Sequence, residues 1–235
     1  MIDVFCLANN EEKLMPYFMR HYSQFADVTL LESNSTDKTI EIANSMGATI
    51  WSYDRPDELD DEFFTDLKNN CWKKSQADWV MIVDADEFIY HHNIVNLLKR
   101  TNATIIIPEF WNMYSEQFPT TEGQIYDEIT MGCKQDSPPA KMNIFRPGEI
   151  QEMNYSPGAH HANPAGNIKI DYDSRIKTLH MRNLSKQFVI ERNARHSQRR
   201  SQINKDKGWG DHVDFPVSDV MKSFDEAMLK LIKVI

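Results

Sequence analysis

Between residues 2 and 53 the chain alternates between compact apolar runs and segments of helical periodicity, and that alternation restricts the fold more than any other feature. Ile2 to Ala8 is an apolar run of strand length that gives way to Asn9-Asn10-Glu11-Glu12. Leu14, Tyr17, Phe18, His21, Tyr22 and Phe25 then recur at three- and four-residue spacing, which predicts a helix with one buried face. Val28 to Glu32 predicts a second strand. Ser33-Asn34-Ser35-Thr36-Asp37 offers capping side chains ahead of Ile40, Ile42, Ala43 and Met46, and Gly47 closes that segment as a helix end requires. Ala48 to Tyr53 predicts a third strand. A βαβαβ unit of this kind folds as a parallel sheet with right-handed crossovers, so the expected class is α/β.

Asp54 to Asp61, with Pro56, reads as an exposed loop, and Phe63, Phe64, Leu67, Cys71 and Trp72 predict a helix over Asp61 to Ser75. The next run, Trp79-Val80-Met81-Ile82-Val83, is apolar on both faces and reads as a buried central strand. It ends in Asp84-Ala85-Asp86-Glu87. Asp84 and Asp86, two apart, aim the same way if strand geometry persists through Ala85. Like charges held that close at the end of a buried strand need a compensating cation or proton. A divalent ion is the natural counter-ion, and oxygen ligands with open positions favour Mg²⁺ or Mn²⁺ completed by water and substrate phosphates. The bland alternative is a set of acids that only solvates a strand end. Position weighs against it, because open α/β sheets bind ligands at the carboxyl ends of their strands.

Asn93 to Arg100 predicts a short helix with cations at its end, and Ala103 to Ile107 a buried strand closed by Pro108. Glu109 to Pro139, with Trp111, Tyr114, Phe118 and Tyr126, has little periodicity and is expected to form a lid or acceptor wall. Lys141 to Arg146 and Asn167 to Tyr172 read as strands on either side of the segment from Gly158 to Pro164. Arg175 to Met181 reads as a last strand, leading into a helix from about Ser185 to Gln202. A C-terminal helix from about Val217 places Val220, Phe224, Ala227, Met228, Leu231 and Ile232 on one packing face.

The 235 residues carry 26 Lys and Arg against 35 Asp and Glu, a net charge of -9 that argues against broad nonspecific nucleic-acid binding. A basic cluster stands out locally: Arg182, Lys186, Arg192, Arg195, Arg199, Arg200, Lys205 and Lys207. It reads either as a solvated helix face or as a holder for a donor diphosphate or a phosphorylated acceptor. Trp209, between two glycines, reads as a stacking platform or a loop anchor. Cys6, Cys71 and Cys133 form no C-x-x-C pair, which fits a reducing compartment. The start lacks a basic leader, and no uncharged apolar run reaches membrane-spanning length, so the expected location is cytoplasmic.

Taken together, these segments resemble glycosyltransferases of the GT-A fold, nearest to the family-2-like group of small bacterial and phage members. The resemblance rests on Asn10-Glu11-Glu12, on Glu32-Ser33-Asn34-Ser35-Thr36-Asp37-Lys38-Thr39, on Asp84-Ala85-Asp86-Glu87-Phe88, and on Leu179-His180-Met181 with Leu184-Ser185 and Glu191-Arg192, in family order over roughly residues 1 to 205. It implies one GT-A-like domain over 1–235: a Rossmann-type, mostly parallel central sheet flanked by helices. Within it, 1–107 is the nucleotide-sugar half, 108–182 the acceptor side and 183–235 a C-terminal helical extension. It implies that Ala8, Asn10, Glu12, Glu32, Asn34, Asp37, Asp54, Asp84 and Ala85 face the donor, with Glu32 standing where the family has Asp. The implied metal ligands for Mn²⁺ or Mg²⁺ are Asp86, Asp84 (directly, or through water or the donor ribose) and His180, whose alternative role is a packed histidine. The catalytic base is left among His160, His161, Glu87 and Glu109, since His160-His161 occupies the place of the family's His-Glu pair. The implied donor is a nucleotide sugar, UDP-sugar first, and the acceptor a glycan or another hydroxyl-bearing molecule. Only the basic cluster speaks for a nucleic-acid acceptor. Rival readings are a non-catalytic nucleotide-sugar or glycan binding module and a D-x-D phosphohydrolase, although the latter expects Thr or Val where Glu87 stands. A pyrophosphorylase would need a glycine- and basic-rich first loop, which Ala8-Asn9-Asn10-Glu11 is not.

Overall fold

The computed structural model describes residues 1–32, 34–134 and 141–235; Ser33 of the capping cluster and residues 135–139 at the end of the expected lid lie outside the described residues. Strands β1 (Ile2–Ala8), β2 (Asp27–Glu32), β3 (Thr49–Ser52) and β4 (Trp79–Asp84) pair in parallel in the order β3-β2-β1-β4, as the βαβαβ pattern predicts. Helices α1 (Met15–Tyr22), α2 (Thr39–Ser45) and α3 (Asp61–Asn70) make the crossovers. Each shows its sequence signal: α1 buries Met15, Tyr17, Phe18, Met19, His21 and Tyr22, and the Asp60 carboxylate caps α3 by accepting from the Phe63 N–H. The core lies on both faces of β1 and β4, where Val4, Cys6, Val80 and Met81 are fully buried.

Beyond the acids come β5 (Glu87–Tyr90), α4 (Ile94–Arg100), β6 (Ile105–Ser115), β7 (Met131–Lys134), β8 (Ile144–Phe145), β9 (Ile150–Glu152), β10 (Ala165–Gly166) and β11 (Ile170–Leu184). The chain closes with α5 (Lys186–Arg199), α6 (Gln202–Lys207), α7 (Val217–Met228) and β12 (Ile232–Lys233). The large sheet runs β12-β7-β6-β8-β4-β1-β2-β3, with β11 parallel to β6 and antiparallel to β5. The sheet is therefore parallel through β4 and mixed beyond it, with helices on its faces. Among the described residues no helix is long and apolar enough to cross a membrane.

Several expectations are corrected here. Pro108 does not end its strand: β6 continues to Ser115, and the pairing of β11 shifts register between Asp173 and Lys177, next to the proline that has no N–H to offer. The segment from Glu109 is therefore not a loop at its start. Trp111 is buried, Phe118 packs on Phe188 and Tyr126 on Tyr90, so most of the expected lid aromatics fill the core; Tyr114 alone of the four lines the cleft described below. Of Asn167 to Tyr172 only Ile170 onward is strand, and it is continuous with Arg175 to Met181 in β11; Lys141 to Arg146 contributes only the two residues of β8. The helix expected over Ser185 to Gln202 breaks after Arg199 because Leu59 inserts: its N–H reaches the Arg199 carbonyl, and its carbonyl accepts from the Ser201 N–H. In α7 Phe224 is buried and Val220 half-buried, whereas Ile232 is 54% exposed on β12.

Candidate active site

A cleft of about 1060 Å³ opens at the carboxyl ends of β1 and β4, walled by α3, α5, the turn at residues 156–160 and the loop at 208–215. The β11 register sets His180 against Glu87 of β5 and Asn112 of β6, so three strands converge on the acids. Here the charges expected to call for a metal are found already paired. Asp84 meets Lys68 Nζ at 2.9 Å and Lys141 Nζ at 3.3 Å, and Lys141 also holds Glu87. Burial works against the charged form of Asp84, but the two ammonium groups overcome it and hold its carboxyl well below the usual range. The same pairing holds the Lys141 ammonium above its ordinary range despite burial.

Asp86, only 2% exposed, takes Arg192 Nη1 at 2.7 Å and His180 Nε2 at 3.1 Å on the same oxygen, Oδ2. Burial is again the largest influence, and Arg192 leads the groups that outweigh it, so the carboxyl sits well below its ordinary range. His180 Nδ1 lies 2.9 Å from Asn112 Oδ1, an acceptor, which places a proton on Nδ1. In the neutral ring Nε2 therefore turns its lone pair toward the carboxylate. Two donor atoms arranged that way are what a cation needs. Adjacent ligands of an octahedral ion with bonds of about 2.1 Å lie about 3 Å apart, and the 3.1 Å edge from Nε2 to Oδ2 matches. Asp86 and His180 thus fit Mn²⁺ or Mg²⁺ as a two-residue edge. Asp84 faces its lysines, and among the described residues no set of three His, Cys, Asp or Glu forms a cage.

The other expected residues separate into wall and scaffold. Ala8 and Ala85 line the cleft, as do Glu87 and His160. Asn10 and Asp37 instead tie the first loop to the second. The Asn10 side chain accepts from the Thr36 N–H at 2.7 Å, and Asp37 accepts from the Glu12 N–H and caps α2 through Thr39. Glu12 accepts from the Lys38 N–H, buried Glu32 from the Ser35 N–H, and Asn34 donates to the Arg55 carbonyl. Asp54 is exposed outside the cleft wall. Of the proposed bases, Glu109 is occupied by Lys134 and Trp111 away from the wall, and His161 is exposed beyond it. Glu87 is held by Lys141 and accepts from the Asp84 N–H. His160 is exposed but faces the cleft, and partial desolvation there together with Lys141 lowers its pKa to about 4, so the ring is neutral near pH 7.

Sequence reasoning missed Lys68 and Lys141. Lys68 carried a signal, since it continues the stripe of Phe64 and Cys71 on α3, where an apolar residue belongs. Lys141 carried none. Half of the basic cluster in the last quarter of the chain faces this cleft: Arg182, Arg192, Arg199 and Arg200 line it, as does Trp209, whose loop turns through positive φ at Gly208 and Gly210.

No family model matches the chain, and no curated protein matches it significantly. Among solved structures it is similar to a mycobacterial protein (22% identity, TM-score 0.36, 48% of this chain and 41% of that one). It is also similar to glucosyl-3-phosphoglycerate synthase from Mycobacterium tuberculosis in complex with Mn²⁺, UDP and glucosyl-3-phosphoglycerate (22%, TM-score 0.35, 47% and 44%). A third similarity is to residues 1–349 of TarS from S. aureus (12%, TM-score 0.48, 83% and 64%). The chain thus covers less than two thirds of each of these proteins.

Proposed function

We propose that the chain is a glycosyltransferase that moves a sugar from a nucleotide-diphosphate donor, a UDP-sugar in the first instance, to an acceptor hydroxyl with the help of Mn²⁺ or Mg²⁺. The observation that carries this reading is the edge formed by Asp86 and His180 at the carboxyl end of a parallel sheet, set in a cleft lined by Lys68, Lys141, Arg182, Arg192, Arg199 and Arg200. The nucleoside end falls on the β1 side, between Ala8, Tyr53 and Phe64, which keeps 1–107 as the donor half and 108–182 as the acceptor side. Asp86 and His180 would hold the ion, which supplies Lewis-acid stabilisation of the departing diphosphate. Asn112 fixes the His180 tautomer, so that ligand is oriented before the donor arrives, whereas at Asp86 the ion would take Oδ2 over from Arg192. Lys68 and Lys141 hold Asp84 ionised beside the ribose position. His160 accepts the acceptor's proton at a ring nitrogen in a single displacement, since among the four candidates it alone lines the cleft without an ion-pair partner among the described residues.

Calorimetric titration of UDP with and without Mn²⁺, preceded by a thermal-shift screen of UDP-, GDP-, CMP- and dTDP-sugars, tests the reading. Affinity should need Mn²⁺ and collapse in Asp86→Ala. Undiminished Mn²⁺-dependent affinity in that variant ends the proposal.

A further inference from the structure

Carboxylates in and beside the cleft take up most of its cations. Lys68 and Lys141 serve Asp84 and Glu87, and Arg192 serves Asp86 and stands 3.6 Å from Glu11. Arg199 is bound to Asp57, and Arg200 to Asp211 and Asp214. Arg182 is the exception. It lines the cleft, yet among the described residues no carboxylate pairs with it, and its one side-chain hydrogen bond is a long one of 3.4 Å to Asn193 Oδ1. Two further cleft residues, His196 of α5 and His212, sit in the field of this guanidinium. Burial, then Arg192, keeps His196 from protonating, and burial, then Arg182, lowers His212 to a pKa of about 4. Arg182 thus lines the cleft without a carboxylate within ion-pair distance among the described residues, and the two imidazoles of the same cleft stay neutral.

Its place in the sheet says which part of a substrate it meets. On the proposed reading the nucleoside end lies at β1, and in the order β3-β2-β1-β4-β8-β6 Arg182 stands well away from it, on β11, the parallel partner of β6, beyond Asp86 and His180. Tyr114 of β6 and Phe224 of α7, which pack on each other, continue the cleft in that direction and away from the donor. We propose that Arg182, with His196 and His212, binds an oxyanion carried by the acceptor, so that the acceptor is a hydroxyl compound bearing a phosphate or a carboxylate. This rests on the glycosyl-transfer reading of the same cleft. Guanidinium suits either anion, because its forked N–H groups meet two oxygens at once.

The test is calorimetric titration of inorganic phosphate, and separately of acetate, into the wild-type protein, Arg182→Met and Arg182→Lys, each with and without saturating UDP and Mn²⁺. Phosphate or acetate should bind alongside UDP, about 10- to 100-fold more weakly in Arg182→Met and by an intermediate factor in Arg182→Lys, with UDP affinity unchanged. The two anions distinguish a phosphorylated from a carboxylated acceptor. If UDP displaces the anion, Arg182 belongs to the donor diphosphate and the acceptor assignment falls. Equal anion affinity in all three proteins, or none in any, also overturns it. Anion binding through Arg182 in a protein that never binds a nucleotide would leave the subsite standing and remove the glycosyl-transfer reading instead. Arg182→Lys, which keeps the stem and charge, guards against a loss caused by misfolding of Arg182→Met.

Discussion

Replacing Arg192 by Met removes a charge while keeping a long apolar stem, and the consequence can be worked from what it touches. Asp86 is 2% exposed and Glu11 6%, and Arg192 is the nearest cation to both. Removing one partner from a buried ion pair costs about 3 to 5 kcal/mol, because the other charge stays behind without compensation. At this chain length that corresponds to a fall in Tm of roughly 6 to 20 °C. Burial already pushes the Glu11 carboxyl up, with Arg192 the strongest opposing influence, so the variant should push it up further. Mn²⁺ should then restore more stability to the variant than it adds to the wild type. In the wild type the ion competes with Arg192 for Asp86 Oδ2; in the variant it replaces the missing charge, and at 100 times its Kd an ion contributes about 2.7 kcal/mol. Differential scanning calorimetry in metal-free and Mn²⁺-containing buffer measures both effects. A metal-free Tm within about 2 °C of wild type would mean that Asp86 is compensated by something other than Arg192, and the account of the site would fail.

Lys141→Met should destabilise by about 3 kcal/mol at pH 8 because Glu87 is left charged and 1% exposed, whereas Lys141→Met with Glu87→Gln should recover most of the loss; urea melts that rank the double variant no better than the single one refute this. If His160 is the base, kcat/KM for transfer should stay flat from pH 8 down to about pH 5 and fall only toward its lowered pKa of about 4, so a break near 6.5 would point to a different group. The same lowered pKa makes the unfolded chain bind more protons than the native one between pH 6.5 and about 4. Stability should therefore decrease as the pH falls through that window, and His160→Gln should flatten the slope.

The parallel half of the fold was legible because each of its elements carries a complete local signal. Tyr17, Phe18, His21 and Tyr22 mark one helix face, and the apolar runs of β1 and β4 stop where the buried strands stop. The stretch after Pro108 gave no such signal for a physical reason. Ile105, Ile106 and Ile107 and then Phe110 and Trp111 of β6 are buried, so most of the strand shows none of the alternation by which a half-exposed strand is recognised. Asn10, Glu12 and Asp37 were found by motif and lie next to the site, yet their side chains are used up in joining two loops. A motif records which residues belong together and not whether they face the ligand. Likewise Asp84, Asp86 and Glu87 announce themselves within four positions, while the lysines that answer them stand 16 residues earlier and 57 residues later than Asp84.

That separation also changes the charge balance that matters. The whole chain carries -9, whereas the charged residues of the cleft wall are Glu11, Asp61, Asp84, Asp86 and Glu87 against Lys68, Lys141, Arg182, Arg192, Arg199 and Arg200, close to balance before any histidine protonates, and Asp57, Asp211 and Asp214 beside the wall take up Arg199 and Arg200. An acidic surface repels anions at long range, and a cleft cation without a carboxylate partner among the described residues, Arg182, holds them at short range. Screening shortens the repulsion first, because exposed charges more than about 8 Å apart are largely screened at physiological salt whereas buried pairs are not. A nucleotide or a phosphorylated acceptor should therefore meet the net charge of the protein only as a barrier to approach, and the local balance set by Arg182 and Arg192 as its affinity.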